Sequence, residues 1–290
     1  MTTTHTLDTP EAGIVYDVHG PAPAESPRPP LLMIGQPMTA EGFSTLASYF
    51  PERTVVTYDP RGLGRSVRKD GRDDHVPAVQ AEDIHAVIQA LGAGPVEVFG
   101  SSGGAVAGLA LVTAHPGDVT TLVAHEPPLI KPLPDAAAAE RAGQEMRDAY
   151  QARGFGAGMA AFMVLGSWKG EFTEDYFALP PADPAQFGMP PEDDGRRDDP
   201  LLTERSLAVT TYQLDVAALT AASTRVVIAV GEESREVFTG RTALATAELL
   251  GQEATVFPSH HGGFLGGEFG YAGQPEAFAA KLREVLSTEG

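Results

Sequence analysis

The chain has 290 residues, no cysteine, 42% hydrophobic residues and a formal charge of −19. That is enough apolar sequence for one large core, or for a core with a smaller inserted unit. The absence of thiols excludes disulfides, thiolate nucleophiles and cysteine-ligated metals. The negative field disfavours nucleic acid and membrane surfaces, and suits a small-molecule substrate that is neutral or cationic overall.

The predicted elements alternate along the chain. Residues 13–18 read as a strand, and the proline-bearing residues 22–30 as a loop. Leu31–Ile34 is a short apolar strand, 41–49 a helical stretch, and 54–58 a β-branched strand. Over 78–91 the apolar residues Val79, Ile84, Val87, Ile88 and Leu91 recur at helical spacing, and Gly92 ends the run. A strand at 96–99, a nearly all-apolar helix at 103–114 and a strand at 120–124 follow. A strand at 225–230, a helix at 241–250, a strand at 254–257 and a helix at 275–286 complete the series. Strands that are apolar throughout suit a parallel sheet covered on both faces. The expected fold is therefore α/β, a doubly wound and mostly parallel sheet.

Residues 128–223 break this rhythm. Residues 135–153 are rich in Ala, Glu and Arg, 156–168 are apolar, and 180–200 are loop-like with a charge cluster. No convincing strand occurs there. The expectation is a helical cap at 128–223 inserted into a core formed by 1–127 and 224–290. Phe162 and Trp168 are the cap side chains expected to reach a substrate, which suggests an apolar group on that substrate. No apolar stretch is long enough to span a bilayer, and the N-terminus carries no basic-then-apolar leader, so the expected compartment is the cytoplasm.

The strongest chemical signal is Gly100-Ser101-Ser102-Gly103-Gly104, set between a strand and an apolar helix. Gly100 and Gly104 flank Ser102 in the pattern G-x-S-x-G; Ser101 lacks these flanks. A nucleophile elbow needs this arrangement, because the serine occupies a strained turn in which neighbouring side chains would collide. The helix N-terminus adds partial positive charge where an oxyanion would develop. Asp215 reads as a helix N-cap. His19, His75, His85 and His115 show no metal-ligand spacing, and no phosphate or dinucleotide loop is present, so neither metal nor cofactor is expected.

With this motif, and with Asp59-Pro60-Arg61-Gly62-Leu63-Gly64-Arg65-Ser66 resembling a D-x-R-G-x-G-x-S loop, the chain resembles the α/β-hydrolase superfamily outside the cap. The Asp59–Ser66 loop reads as a structural turn. The resemblance implies a general base after the last strand, at His261 or its neighbour His260, with the small residues and Phe264 that follow favouring His261. The family's usual acid position is occupied by Ser234. The implied acid is then Glu126, just past the strand at 120–124 as in haloalkane dehalogenases, or Glu232 or Glu233. Ile34-Gly35-Gln36-Pro37 resembles the family's H-G-x-P stretch, which implies an oxyanion hole from the Gln36 and Gly103 amides. The implied activity is hydrolysis of a carboxylic ester or lactone through an acyl-enzyme. The same triad would serve C–C bond hydrolysis or perhydrolysis, and a non-catalytic ligand-binding homologue is the remaining alternative.

Overall fold

Nine strands form one sheet in this computed structural model, which describes residues 2–26 and 28–288. The strands are β1 (Thr2–Asp8), β2 (Ala12–His19), β3 (Leu31–Ile34), β4 (Val55–Tyr58), β5 (Val67–Arg68), β6 (Val96–Ser101), β7 (Val119–His125), β8 (Arg225–Gly231) and β9 (Thr255–Phe257). Their spatial order is β1-β2-β4-β3-β6-β7-β8-β9, with β5 on β2. β2 is antiparallel to β1, β4 and β5, and the strands from β4 to β9 along that path are parallel. This is the mostly parallel α/β architecture expected from the alternation of elements.

The helices are α1 (Ser44–Ser48), α2 (Pro77–Leu91), α3 (Gly103–Ala114), α4 (Ala136–Arg153), α5 (Phe155–Ser167), α6 (Glu174–Phe177), α7 (Leu207–Thr210), α8 (Val216–Ala221), α9 (Phe238–Leu249) and α10 (Pro275–Ser287). α2 starts on Pro77, whose fixed φ suits a first helical position, and stops at Gly92 with φ 62°. Its Ile84, Val87 and Ile88 join α3 and α9 in one apolar cluster, while α1 and α10 build a second one with Phe99, Phe257 and Phe264. Both faces of the sheet are thus covered, which is why its central strands are apolar throughout.

The winding places the site. The chain leaves β3 for β4 on one side, then crosses to β6 on the other. The crevice at the C-terminal ends of β3 and β6 is the topological switch point, where open α/β sheets bind ligands. The Asp59–Ser66 loop braces this region. The Asp59 carboxylate accepts from the amides of Ala40 and Arg65, each at 2.9 Å. Ser66 Oγ accepts from the Val15 amide and donates to the Asp59 carbonyl. Arg61 forks onto Asp83 at 2.6 and 2.7 Å.

Residues 128–223 hold α4 to α8 and no strand among the described residues. α4 packs on α5, and Ile130, Ala139, Leu165 and Phe172 share an apolar cluster with Phe238 of α9. An ion pair between Asp135 and Arg241 fastens the same junction. Asp215 caps α8 by accepting from the Ala218 amide at 2.9 Å. No helix among the described residues is long and apolar enough to cross a membrane.

Two strands were not read from the sequence. β1 is Thr-rich and exposed along most of its length, so no alternation of apolar residues marks it. It is held by full antiparallel pairing to β2. β5 is only two residues long. The 22–30 loop contains a short 3-10 turn at Pro23–Glu25, and its Pro27 lies outside the described residues.

Candidate active site

Ser102 sits at the turn from β6 into α3 with φ 57° and ψ −125°. A non-glycine residue there carries on the order of 1–3 kcal/mol of strain and persists only when its surroundings hold it. They do: the Ser102 amide donates to the His125 carbonyl at 2.9 Å, and the Ser102 carbonyl accepts from the Ala105 amide at 3.0 Å. The flanking glycines answer to close packing. A Cβ at Gly104 would lie 2.3 Å from the Ile34 carbonyl oxygen, and one at Gly100 would lie 2.8 Å from the Gly104 oxygen. Ser101 is instead a buried end residue of β6.

His261 lies on the loop after β9, and its Nδ1 is 2.6 Å from Glu126 Oε2. Glu126 follows β7 directly, is fully buried, and has φ 49°. Its Oε1 accepts from the Gly231 amide at 2.8 Å, and its Oε2 also accepts from the Thr239 hydroxyl at 2.6 Å. Burial alone would raise this carboxyl. The hydrogen bond from His261 and the positive charge His261 can carry, helped by the Thr239 hydroxyl, overcome burial and hold it well below the usual carboxylate range. An ionised Glu126 accepts a proton-bearing Nδ1, which leaves His261 Nε2 bare as an acceptor.

The other candidates stand elsewhere. Glu232 and Glu233 are exposed; Glu232 meets the Ser259 amide at 3.4 Å and Glu233 meets Gln274 at 3.5 Å. His260 accepts from the Gly262 amide at 3.1 Å through Nδ1 and donates to the Ala272 carbonyl at 3.3 Å through Nε2. Both of its ring nitrogens are thereby engaged by the backbone.

Ser102, His261, Gln36, Gly103 and Thr239 line one cavity of about 130 Å³. A Cβ at Gly103 would lie 2.7 Å from the Gln36 carbonyl oxygen, so the two loops touch where the oxyanion donors were expected. Among the described residues, neither the Gln36 nor the Gly103 amide takes part in the loop hydrogen bonds. No hydrogen bond joins Ser102 to His261 among the described residues, a looseness common before substrate closes a site. Phe162 lines the cavity but Trp168 does not. Trp168 packs edge-on against Tyr176 with centroids 5.3 Å apart, and its Nε1 donates to the Glu171 carbonyl, so its expected contact with substrate is corrected.

Three features escaped the sequence reading. His125 is fully buried among Phe99, Phe257, Phe264 and Phe278, and neither ring nitrogen has a hydrogen-bond partner among the described residues. Burial lowers its pKa to about 4, opposed by Glu126 and reinforced by His261 and His260. Arg147 and His75 line the same cavity as Ser102 and His261, though nothing in their spacing marks them. His85, His115 and Asp118 bring ligand-type atoms within 4.8 Å of one another, because α2 and the turn after α3 meet in space rather than in sequence. Hydrogen bonds account for that group: His85 pairs with Asp118 at 2.5 Å and His115 with Glu82 at 2.9 Å. It lies before β7, at the end of the sheet opposite Ser102.

A family model for the alpha/beta hydrolase fold matches residues 29–162. The chain is 30% identical over 301 residues to the uncharacterized hydrolase YraK of Bacillus subtilis, covering 98% of this chain and 96% of that protein. An α/β hydrolase from Sphaerobacter thermophilus superposes with a TM-score of 0.64 at 24% identity, over 98% of this chain and 100% of that one. A thermophilic esterase from Thermogutta terrifontis superposes with a TM-score of 0.63 at 19% identity, over 99% of this chain and 98% of the other. The chain belongs to the α/β-hydrolase family.

Proposed function

We propose that the protein is a serine hydrolase that cleaves a carboxylic ester or lactone through an acyl-enzyme. The observation that carries this reading is the 2.6 Å contact between buried Glu126 and Nδ1 of His261, which lines the same cavity as Ser102. Ser102 Oγ attacks the carbonyl carbon as His261 Nε2 takes its proton. The tetrahedral oxyanion is met by the Gln36 and Gly103 amides. His261 then returns the proton to the leaving alkoxide, and the C–O bond breaks to leave an ester on Ser102. Water repeats the sequence to release the acid and restore Ser102.

Each group has one task. Glu126 keeps the proton on Nδ1 and supports the imidazolium during both transfers. The strained turn keeps Oγ presented, and α3 directs its N-terminal dipole at the developing charge. Residues 128–223 act as the cap over this cavity, with Phe162 in its wall. A cavity of about 130 Å³ is small beside the roughly 300–1,000 Å³ of drug-sized pockets, which favours a short substrate.

The test is hydrolysis of short-chain ethyl esters and γ-lactones by the wild type and by Ser102→Ala. The variant is expected to lose about 10⁶-fold in kcat with an unchanged circular dichroism spectrum. A folded Ser102→Ala protein within about tenfold of wild type would overturn the proposal.

A further inference from the structure

α4 turns Ala139, Gly143, Met146 and Arg147 to one side, and all four line the cavity that holds Ser102 and His261. Three of these suit an apolar stripe; the fourth is an arginine in a place where charge is costly to bury. Arg147 is 9% exposed. The other strongly buried arginines are ion-paired at 2.6 Å, Arg53 with Glu97 and Arg61 with Asp83. Arg147 has no such partner among the described residues. Its Nη2 donates to the neutral Gln144 at 2.9 Å, and its Nε is buried without an acceptor. The carboxylates acting on it, Glu204 and Asp148, are exposed and act only through their field.

The guanidinium folds back along α4. A Cβ at Gly143 would lie 3.4 Å from Arg147 Nη1, in ordinary contact, which places the charged head over the preceding turn of α4. Two further polar groups in the same wall have unpartnered buried atoms: His75 Nε2 and both amide atoms of Gln36. Burial first, then the positive fields of Arg68 and Arg205, lower the His75 pKa to about 4. Asp74 and Asp73 oppose those fields at His75. Asp73, Asp74, Asp148 and Glu204 line a second, outward-facing pocket with Arg147, and none of them forms an ion pair with it among the described residues.

We propose that Arg147 binds a carboxylate at the far end of the substrate, so that the preferred substrate is a short monoester of a dicarboxylic acid. This deepens the acyl-enzyme reading of Ser102 and rests on it. It replaces the expectation of a neutral or cationic substrate drawn from net charge: the partner of a buried charge is set by the groups around it.

The test compares ethyl hydrogen glutarate with the similarly sized ethyl pentanoate. Hydrolysis is followed by the wild type, Arg147→Met and Arg147→Lys, and calorimetry measures binding of both esters to Ser102→Ala with and without Arg147→Met. A charge-assisted hydrogen bond predicts a preference for the hemiester of about 10- to 100-fold in kcat/KM, carried by KM. Arg147→Met should bring the ratio of the two esters to about one, and Arg147→Lys should keep part of it. No preference in wild type, or a ratio untouched by Arg147→Met, overturns the proposal. Should Arg147→Met fail to fold, the wild-type ratio and Arg147→Lys decide. Binding of the hemiester that depends on Arg147, without turnover of either ester, would leave the anion site standing and remove the acyl-enzyme reading. Absence of both would remove the two together.

Discussion

Glu126→Gln separates the proposed catalytic use of this carboxylate from its structural use. The side chain accepts three hydrogen bonds: Oε1 from the Gly231 amide, and Oε2 from Thr239 and His261. An amide has one acceptor oxygen. Directed at Gly231 it keeps the 2.8 Å bond and places NH₂ where Oε2 stood. The Thr239 hydroxyl can turn and accept. His261 can accept only with Nδ1 bare, which moves its proton to Nε2, the nitrogen proposed to take the serine proton. The fold then loses the charge-assisted part of two hydrogen bonds, on the order of 1–3 kcal/mol. Catalysis loses far more, since the favoured tautomer cannot take the serine proton; the same acid-to-amide change in a protease triad costs about 10⁴-fold. The assay is kcat/KM on a short ester, with urea unfolding in parallel. The expected outcome is a folded protein at least about 10²-fold slower, with Glu232→Gln and Glu233→Gln within about tenfold of wild type. A folded Glu126→Gln variant within about tenfold of wild type, or a dead Glu232 or Glu233 variant, refutes the reasoning.

His261→Ala should cost as much as Ser102→Ala, about 10⁶-fold in kcat, whereas His260→Ala should cost less than about tenfold, as both its ring nitrogens serve the backbone; the reverse order in steady-state kinetics contradicts this. Stability should fall on acidification between pH 6.5 and about 4, because His125 and His75 resist protonation in the fold until about pH 4 while the unfolded chain takes up those protons near 6.5. Each contributes up to about 3 kcal/mol to that slope, so His125→Leu should flatten it in urea titrations at pH 7 and 4.5; an unchanged slope refutes the assignment. Glu126, depressed in the opposite sense of charge, withdraws its contribution only at lower pH. Phe162→Ala should shift preference toward longer acyl chains, while Trp168→Ala should cost about 2 kcal/mol of stability and leave preference alone; a selectivity change confined to the Trp168 variant overturns the cavity lining.

Most of the fold was legible because its central strands are buried on both faces and its helices carry apolar stripes. The serine turn was legible for a local reason: the glycines around Ser102 answer to contacts made within a few residues of it and by β3. The acid is a different kind of problem. Glu126, Glu232 and Glu233 all sit at strand ends, and only the meeting of β7, β8 and the His261 loop distinguishes a buried, three-fold bonded carboxylate from two exposed ones. Arg147 was hidden in an Ala-, Glu- and Arg-rich helix that reads as solvated, since nothing in α4 itself says which charged residue turns inward. β1 was invisible because its stability comes from backbone pairing rather than from side-chain pattern.

Activation of Ser102 as a nucleophile is tested by a fluorophosphonate probe and peptide mass spectrometry. One adduct per chain is expected, on Ser102, formed at a rate that collapses in His261→Ala and in Glu126→Gln. An adduct on Ser101, or labelling of Ser102 that proceeds equally fast without His261, would contradict it.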